Sequence, residues 1–209
     1  MIARLRVDVI GTMSEKRAVH TVAVEAMSVR LGRLYAPDKL AELSTAALLH
    51  DITKEKKLPE QLALCEKYNI PVSESDILSP KTFHARTAAA VIPYEYPDFA
   101  DEEVISAVRW HTTGRKGMAL LEKLIYLADY IDESRQFDDC VLLRKMFWEA
   151  NVDSMNESER LEHLNNVLIK SFDFTIKNLI EEKSIVASDT FDARNELICE
   201  KLKANISKG

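Results

Sequence analysis

The chain has 209 residues, 46% of them apolar and 30% charged. That is ordinary for a globular protein, and long enough to bury a core without disulfide or metal staples. Its net charge of −6 argues against a general nucleic-acid binder, which needs a basic face, but leaves room for a small phosphorylated ligand met by a local basic pocket. The three cysteines, Cys65, Cys140 and Cys199, are far apart and in no metal-ligand spacing. They read as free thiols in a reducing compartment, and no run is apolar enough for a signal peptide or a membrane span, so a cytoplasmic protein with no membrane partner is expected.

Five glycines and six prolines punctuate the chain sparsely, and apolar residues recur at helical spacing almost throughout. The expected fold is all-α. The spacing predicts helices over residues 2–10, 15–34 (with Ser14 as cap), 38–51, 59–68, 81 to just before Pro93, 101–112, 117–131, 138–151, 157–182 and from Ser188 or Asp189 to about 203. The apolar stripe of the long 157–182 helix, from Leu161 through Leu164, Leu168, Phe172 and Ile176 to Leu179, must pack on its own domain or on a second subunit, which leaves a homodimer open.

Several polar residues stand where apolar ones belong. His20 opens the stripe Ala23, Met27, Leu31, and His50 ends the stripe Leu40, Leu43, Ala47. His84 leads Ala88 and Val91, His111 follows Val104 and Ala107, and Asp129 follows Met118, Leu121 and Ile125. Spacing by three or four points each toward the interior. A single inward histidine is usually a hydrogen-bonded core residue. Five inward polar groups on five helices, beside Asp51, are explained together by a cation, because an unpartnered buried carboxylate is costly. Imidazole and carboxylate suit iron, manganese, cobalt or zinc. His50 and Asp51 are adjacent, so on a regular helix they diverge by roughly 100°, which is natural for two ligands only where a helix ends. His163, among Glu162, Asn165 and Asn166, reads as a surface residue. Arg17, Lys54, Lys56, Lys57, Arg86, Arg115, Lys116 and Arg135 lie near the inward groups and as a set suggest a polyphosphate pocket.

The order His20, His50-Asp51, Asp129 resembles the H…HD…D pattern of the HD superfamily of metal-dependent phosphohydrolases. The surrounding text is more specific. It comprises Leu48-Leu49-His50-Asp51-Ile52-Thr53-Lys54-Glu55, Trp110-His111-Thr112-Thr113-Gly114-Arg115, Lys123 through Ile131 with Arg135, and Thr190-Phe191-Asp192-Ala193-Arg194-Asn195. Together these resemble the YqeK-like branch, the bacterial symmetrical bis(5′-nucleosyl)-tetraphosphatases, over roughly residues 15 to 200.

The resemblance implies one HD-type helical domain over residues 1–209, with a metal-binding core at about 15–135 and a C-terminal helical extension at about 138–205. It implies hydrolysis of diadenosine tetraphosphate into two ADP, by attack of hydroxide from an ion-acidified water on an inner phosphorus. The implied metal ligands are His20, His50, Asp51 and Asp129. Iron is the expected divalent ion, with manganese and cobalt as alternatives. One ion is expected, or two if His84 and His111 complete a second site with Asp51 bridging. Lys54, His84, His111, Thr112 and Arg135 would face phosphates, with Asp51, Lys54, His84 and His111 forming the catalytic set. Thr190, Arg194 and Asn195 would contact the nucleotide. Two alternatives remain: an HD phosphohydrolase for mononucleotides or cyclic nucleotides, and a non-catalytic nucleotide-binding module of the same fold.

Overall fold

A computed structural model describes residues 1–208 of the chain. Among them are eleven α-helices and no strand: α1 (Ile2–Ile10), α2 (Glu15–Tyr35), α3 (Leu40–Leu49), α4 (Leu58–Lys67), α5 (Glu74–Leu78), α6 (Phe83–Glu95), α7 (Glu102–Trp110), α8 (Leu120–Ile131), α9 (Asp138–Trp148), α10 (Glu157–Glu181) and α11 (Ser188–Lys208). The all-α expectation holds, and most boundaries fall within a few residues of those predicted.

Three differences have local causes. The 3₁₀ turn Pro37–Lys39 precedes α3, which ends at Leu49, so His50 and Asp51 lie past the last helical residue. α6 does not stop before Pro93 but runs through it to Glu95. Proline forfeits only its own N–H bond this close to the end, and the ladder resumes with Tyr96 N–H to the Ile92 carbonyl at 2.9 Å. α5 was not anticipated, although its signal is present: Ser73 and Asp76 form a reciprocal capping box, with Asp76 N–H to Ser73 Oγ at 3.2 Å and Ser73 N–H to Asp76 Oδ2 at 2.8 Å.

α2, α3, α7 and α8 form the centre of the bundle, with α6 on α7 and with α9 and α10 on α8. Leu31, Leu43, Leu48, Leu49, Leu124, Ile125 and Leu127 are fully buried there. Gly32 lets α2 approach α3: a Cβ at that position would lie 2.5 Å from Leu43 Cδ1. The apolar face of α10 packs within its own chain, with Leu164, Val167, Leu168 and Phe172 in the same core cluster as Leu197 of α11. His163 is not the surface residue expected. Its Nε2 donates to the Phe147 carbonyl at 3.0 Å and its ring lies 5.2 Å from that of Phe147, because this face of α10 meets α9. Among the described residues, no helix is long and apolar enough to cross a membrane.

Candidate active site

The central helices deliver their polar groups to one place. Ser14 caps α2, accepting from Arg17 N–H, and its own N–H and hydroxyl donate to the Glu55 carboxylate. Glu55 lies in the turn that follows Asp51, so this bond ties the start of α2, with Arg17 and His20, to the end of α3. There the chain leaves the helix through a tight turn, with Lys54 N–H to the Asp51 carbonyl at 2.9 Å. The turn lets His50 and Asp51 face the same space. α7 ends similarly: Gly114, at φ +64°, sends its N–H to the Trp110 carbonyl at 2.9 Å, and the side chains of His111 and Thr112 turn inward. Thr53 Oγ1 holds the His84 carbonyl at 2.9 Å, anchoring the first turn of α6 beside them.

His20 Nε2 lies 3.0 Å from Asp129 Oδ1 and 3.8 Å from Asp51 Oδ2. His50 Nε2 lies 3.4 Å from Asp51 Oδ2 and 3.9 Å from Asp129 Oδ1. The other Asp51 oxygen, Oδ1, lies 3.3 Å from His84 Nε2 and 3.6 Å from His111 Nε2, and these two nitrogens are 3.1 Å apart. Thr112 Oγ1 is 3.1 Å from each of them. Donor atoms of His20, His50 and Asp129 lie within 4.8 Å of one another, as do those of His50, Asp51 and His111.

Hydrogen bonding settles two tautomers. His50 Nδ1 is 2.6 Å from the Ala47 carbonyl and His111 Nδ1 is 2.7 Å from the Val108 carbonyl. A carbonyl only accepts, so Nδ1 carries the proton and Nε2 offers a lone pair to the cluster. His20 Nδ1 lies 3.3 Å from Asp132 Oδ2, a carboxylate oxygen that favours a proton on that nitrogen. This is how metal-ligating histidines are usually oriented. His20 Nε2, His50 Nε2 and Asp51 Oδ1 are buried without a hydrogen-bond partner. Convergent lone pairs and a buried carboxylate oxygen with nothing to accept from fit a divalent cation.

The carboxylates stay charged. Burial opposes ionisation of Asp51, but His50, His111 and His84 hold it well below the usual carboxylate range. Burial likewise opposes Asp129, and Arg135 and His20 override it. Burial works against a charged His20, yet Asp129 and Asp132 raise it to about 9, so at neutral pH its Nε2 also holds a proton toward Asp129, which a cation would displace on binding. His84 is pushed well below its ordinary value by burial and by Lys54, and His111 is lowered by burial, so both rings are neutral bases. Lys54 Nζ sits 3.0 Å from His84 Nε2, and burial lowers its pKa.

Of the basic residues expected around the site, Arg17 pairs with Asp51, and Arg135 Nη2 with Asp129 Oδ1 at 2.6 Å. Arg86 and Arg115 are engaged elsewhere, with Asp76 at 3.0 Å and Glu122 at 2.9 Å, so they build structure instead of the rim. Thr190 is buried, its hydroxyl donating to the Thr113 carbonyl at 3.0 Å. Arg194 pairs with Asp173 at 2.5 Å and with the Asn195 side chain, in a groove that also holds Ile176 and Phe191. None of these three lines a cavity that reaches the cluster. Two residues were missed: Asp132, fully buried behind His20, and Ser134, whose Oγ is 3.3 Å from His20 Nδ1. The signal for Asp132 was its spacing, three residues after Asp129 on the inward face.

Comparison with known proteins follows the same pattern. The family model described as HD domain matches residues 17–134, more than half of the chain. The chain is 34% identical to a symmetrical bis(5′-nucleosyl)-tetraphosphatase of Bacillus subtilis, over 89% of this chain and 91% of that protein. It is 35% identical to the protein of the same description from Halalkalibacterium halodurans, over 90% and 92%. The crystal structure of a predicted HD superfamily hydrolase involved in NAD metabolism, from Clostridium acetobutylicum, superposes with a TM-score of 0.82 at 30% identity, covering 96% of this chain and 98% of the other. With the inward histidines, the paired turns and these relatives in agreement, the chain belongs to the HD-domain family of metal-dependent phosphohydrolases, in its YqeK-like branch.

Proposed function

We propose that this protein is a divalent-metal-dependent hydrolase that splits diadenosine tetraphosphate symmetrically into two ADP. The carrying observation is the pairing of a His/Asp cluster of partnerless buried donor atoms with a rim of cations, on a chain about one third identical over nine tenths of its length to enzymes described by that activity. His20, His50, Asp51 and Asp129 would hold one ion, iron in the cell, with manganese or cobalt as substitutes. When bound, such an ion acidifies a water toward neutrality and polarises a phosphoryl oxygen.

The remaining chemistry belongs to the chain. Lys54, Arg135 and Arg17 carry positive charge at the edge of the cluster, where phosphate oxygens would lie, and stabilise the charge that builds on them during transfer. The Thr112 hydroxyl would donate to the same oxygens, whereas neutral His84 and His111 would do so only after taking up a proton at Nε2. The placement of Lys54, 3.0 Å from His84 Nε2, favours phosphate over a second cation at this pair. ADP is a stable leaving group, so no general acid is assigned. The protein would act in the cytoplasm on a small molecule, without nucleic acid.

Product analysis tests the reading. With manganese or ferrous iron, diadenosine tetraphosphate should yield ADP alone, whereas ATP plus AMP would exclude it. His50→Ala and Asp51→Ala should each reduce turnover to background, and near-normal activity in either would overturn the site. Metal analysis of protein purified without chelators should give about one ion per chain, whereas a ratio near two would restore the second site.

A further inference from the structure

Of the cavities that open beside the His/Asp cluster, two share a wall. One, of about 770 Å³, is walled by residues at the start of α2 together with Ser134 and Gln136. The other, of about 270 Å³, lies between α8, α9 and α10 and is lined by Tyr126, Tyr130, Asp139 and Asn178. Lys54, Arg135 and Phe137 line both and so form the ridge between them. The first two are the cations at the edge of the cluster. Phe137 is 71% exposed, immediately precedes α9 and, among the described residues, joins neither the hydrophobic core nor any ring pair. A lone exposed aromatic needs no explanation by itself. One standing beside two phosphate-facing cations, on the wall of a cavity with an aromatic floor, has a specific use. Across that cavity Asn178 donates to Asp139 at 2.5 Å, presenting polar edges next to the aromatic surface.

We infer that Phe137 is the stacking platform for a nucleobase of the substrate, held in the smaller cavity with its polar edge toward the Asn178–Asp139 pair while the phosphate chain crosses Lys54 and Arg135. This rests on the reading of the substrate as a nucleoside polyphosphate. Stacking suits the position because every base has a π-face, and because a ring already exposed to water sacrifices no packing when it accepts one. Contact so far from the reacting phosphorus binds ground state and transition state alike, so its loss falls on KM and not on kcat.

The test compares wild type with Phe137→Ala and Phe137→Trp. The alanine variant should raise KM for diadenosine tetraphosphate about tenfold or more, with kcat falling less than about threefold, and tryptophan should restore KM. Inhibition by inorganic tetraphosphate, which has no base, should be unchanged in Phe137→Ala. An equal loss there, or an unchanged KM while wild type turns over, overturns the inference. If wild type does not cleave the dinucleotide, it is the proposed reaction that fails. Stacking is then read separately: ADP should quench the added emission of Phe137→Trp, above the background of Trp110 and Trp148, and inorganic pyrophosphate should not. Emission indifferent to ADP overturns the inference independently of catalysis.

Discussion

Asp132→Asn is the sharpest probe of how the chain prepares its metal ligands. Asp132 is fully buried, and its Oδ1 accepts from Ser134 N–H at 2.8 Å, a bond that an asparagine oxygen keeps. Its Oδ2 lies 3.3 Å from His20 Nδ1 and 3.4 Å from Arg135 Nε, two donors. An amide nitrogen there meets both as a third donor. His20 relieves the conflict by moving its proton to Nε2, which removes the lone pair facing Asp129 and Asp51. Loss of such an orienting partner typically costs 10–100-fold in metal affinity, about 1.4–2.8 kcal/mol. At an ion concentration 100 times the wild-type dissociation constant, the ion stabilises wild type by about 2.7 kcal/mol. The same concentration stabilises the variant by only about 1.4 kcal/mol if affinity falls tenfold, and by about 0.4 kcal/mol if it falls a hundredfold. Manganese affinity by competition with a chromophoric chelator, and urea unfolding with and without the ion, measure both quantities. A folded variant that binds manganese within about twofold of wild type would refute the argument.

Two further outcomes are expected. Gly114→Ala places a Cβ 2.8 Å from Phe172 Cζ and 3.2 Å from Ala193 Cβ at a φ of +64°, so it should destabilise the protein by about 1–3 kcal/mol in urea unfolding. It should also lower turnover, because the same turn carries His111 and Thr112, and an unchanged unfolding midpoint would contradict the packing described. Burial raises the thiol of Cys65 and pushes that of Cys140 up to about 11, leaving about one Cys140 in a thousand as thiolate at pH 8. Cys199 is exposed. Brief iodoacetamide treatment at pH 8 should therefore add one label by intact mass, mapped to Cys199, and rapid triple labelling would be inconsistent with this burial.

The helices were legible because their apolar residues recur at three and four, and the site was legible because polar residues interrupt those stripes. Period alone was enough to send His20, His50, His84, His111 and Asp129 inward. The family text around His50-Asp51 and Thr112-Thr113-Gly114 then made a cation and a phosphate the natural partners. Tertiary structure decided what local periodicity cannot carry. Which cations reach the cluster depends on competing partners that helix period does not identify: Arg17 and Arg135 find its carboxylates, whereas Arg115 is held by Glu122, seven residues on, and Arg86 by Asp76, ten residues back. His163 became half-buried only because α10 folds back onto α9. The division of Asp51, with Oδ2 facing one pair of histidines and Oδ1 the other, arises where four helices meet and has no signature in the order of residues. Sequence determines which faces turn inward, because side-chain direction follows helix period. Which inward groups touch is set by helix packing, because charges and lone pairs pair by distance through space.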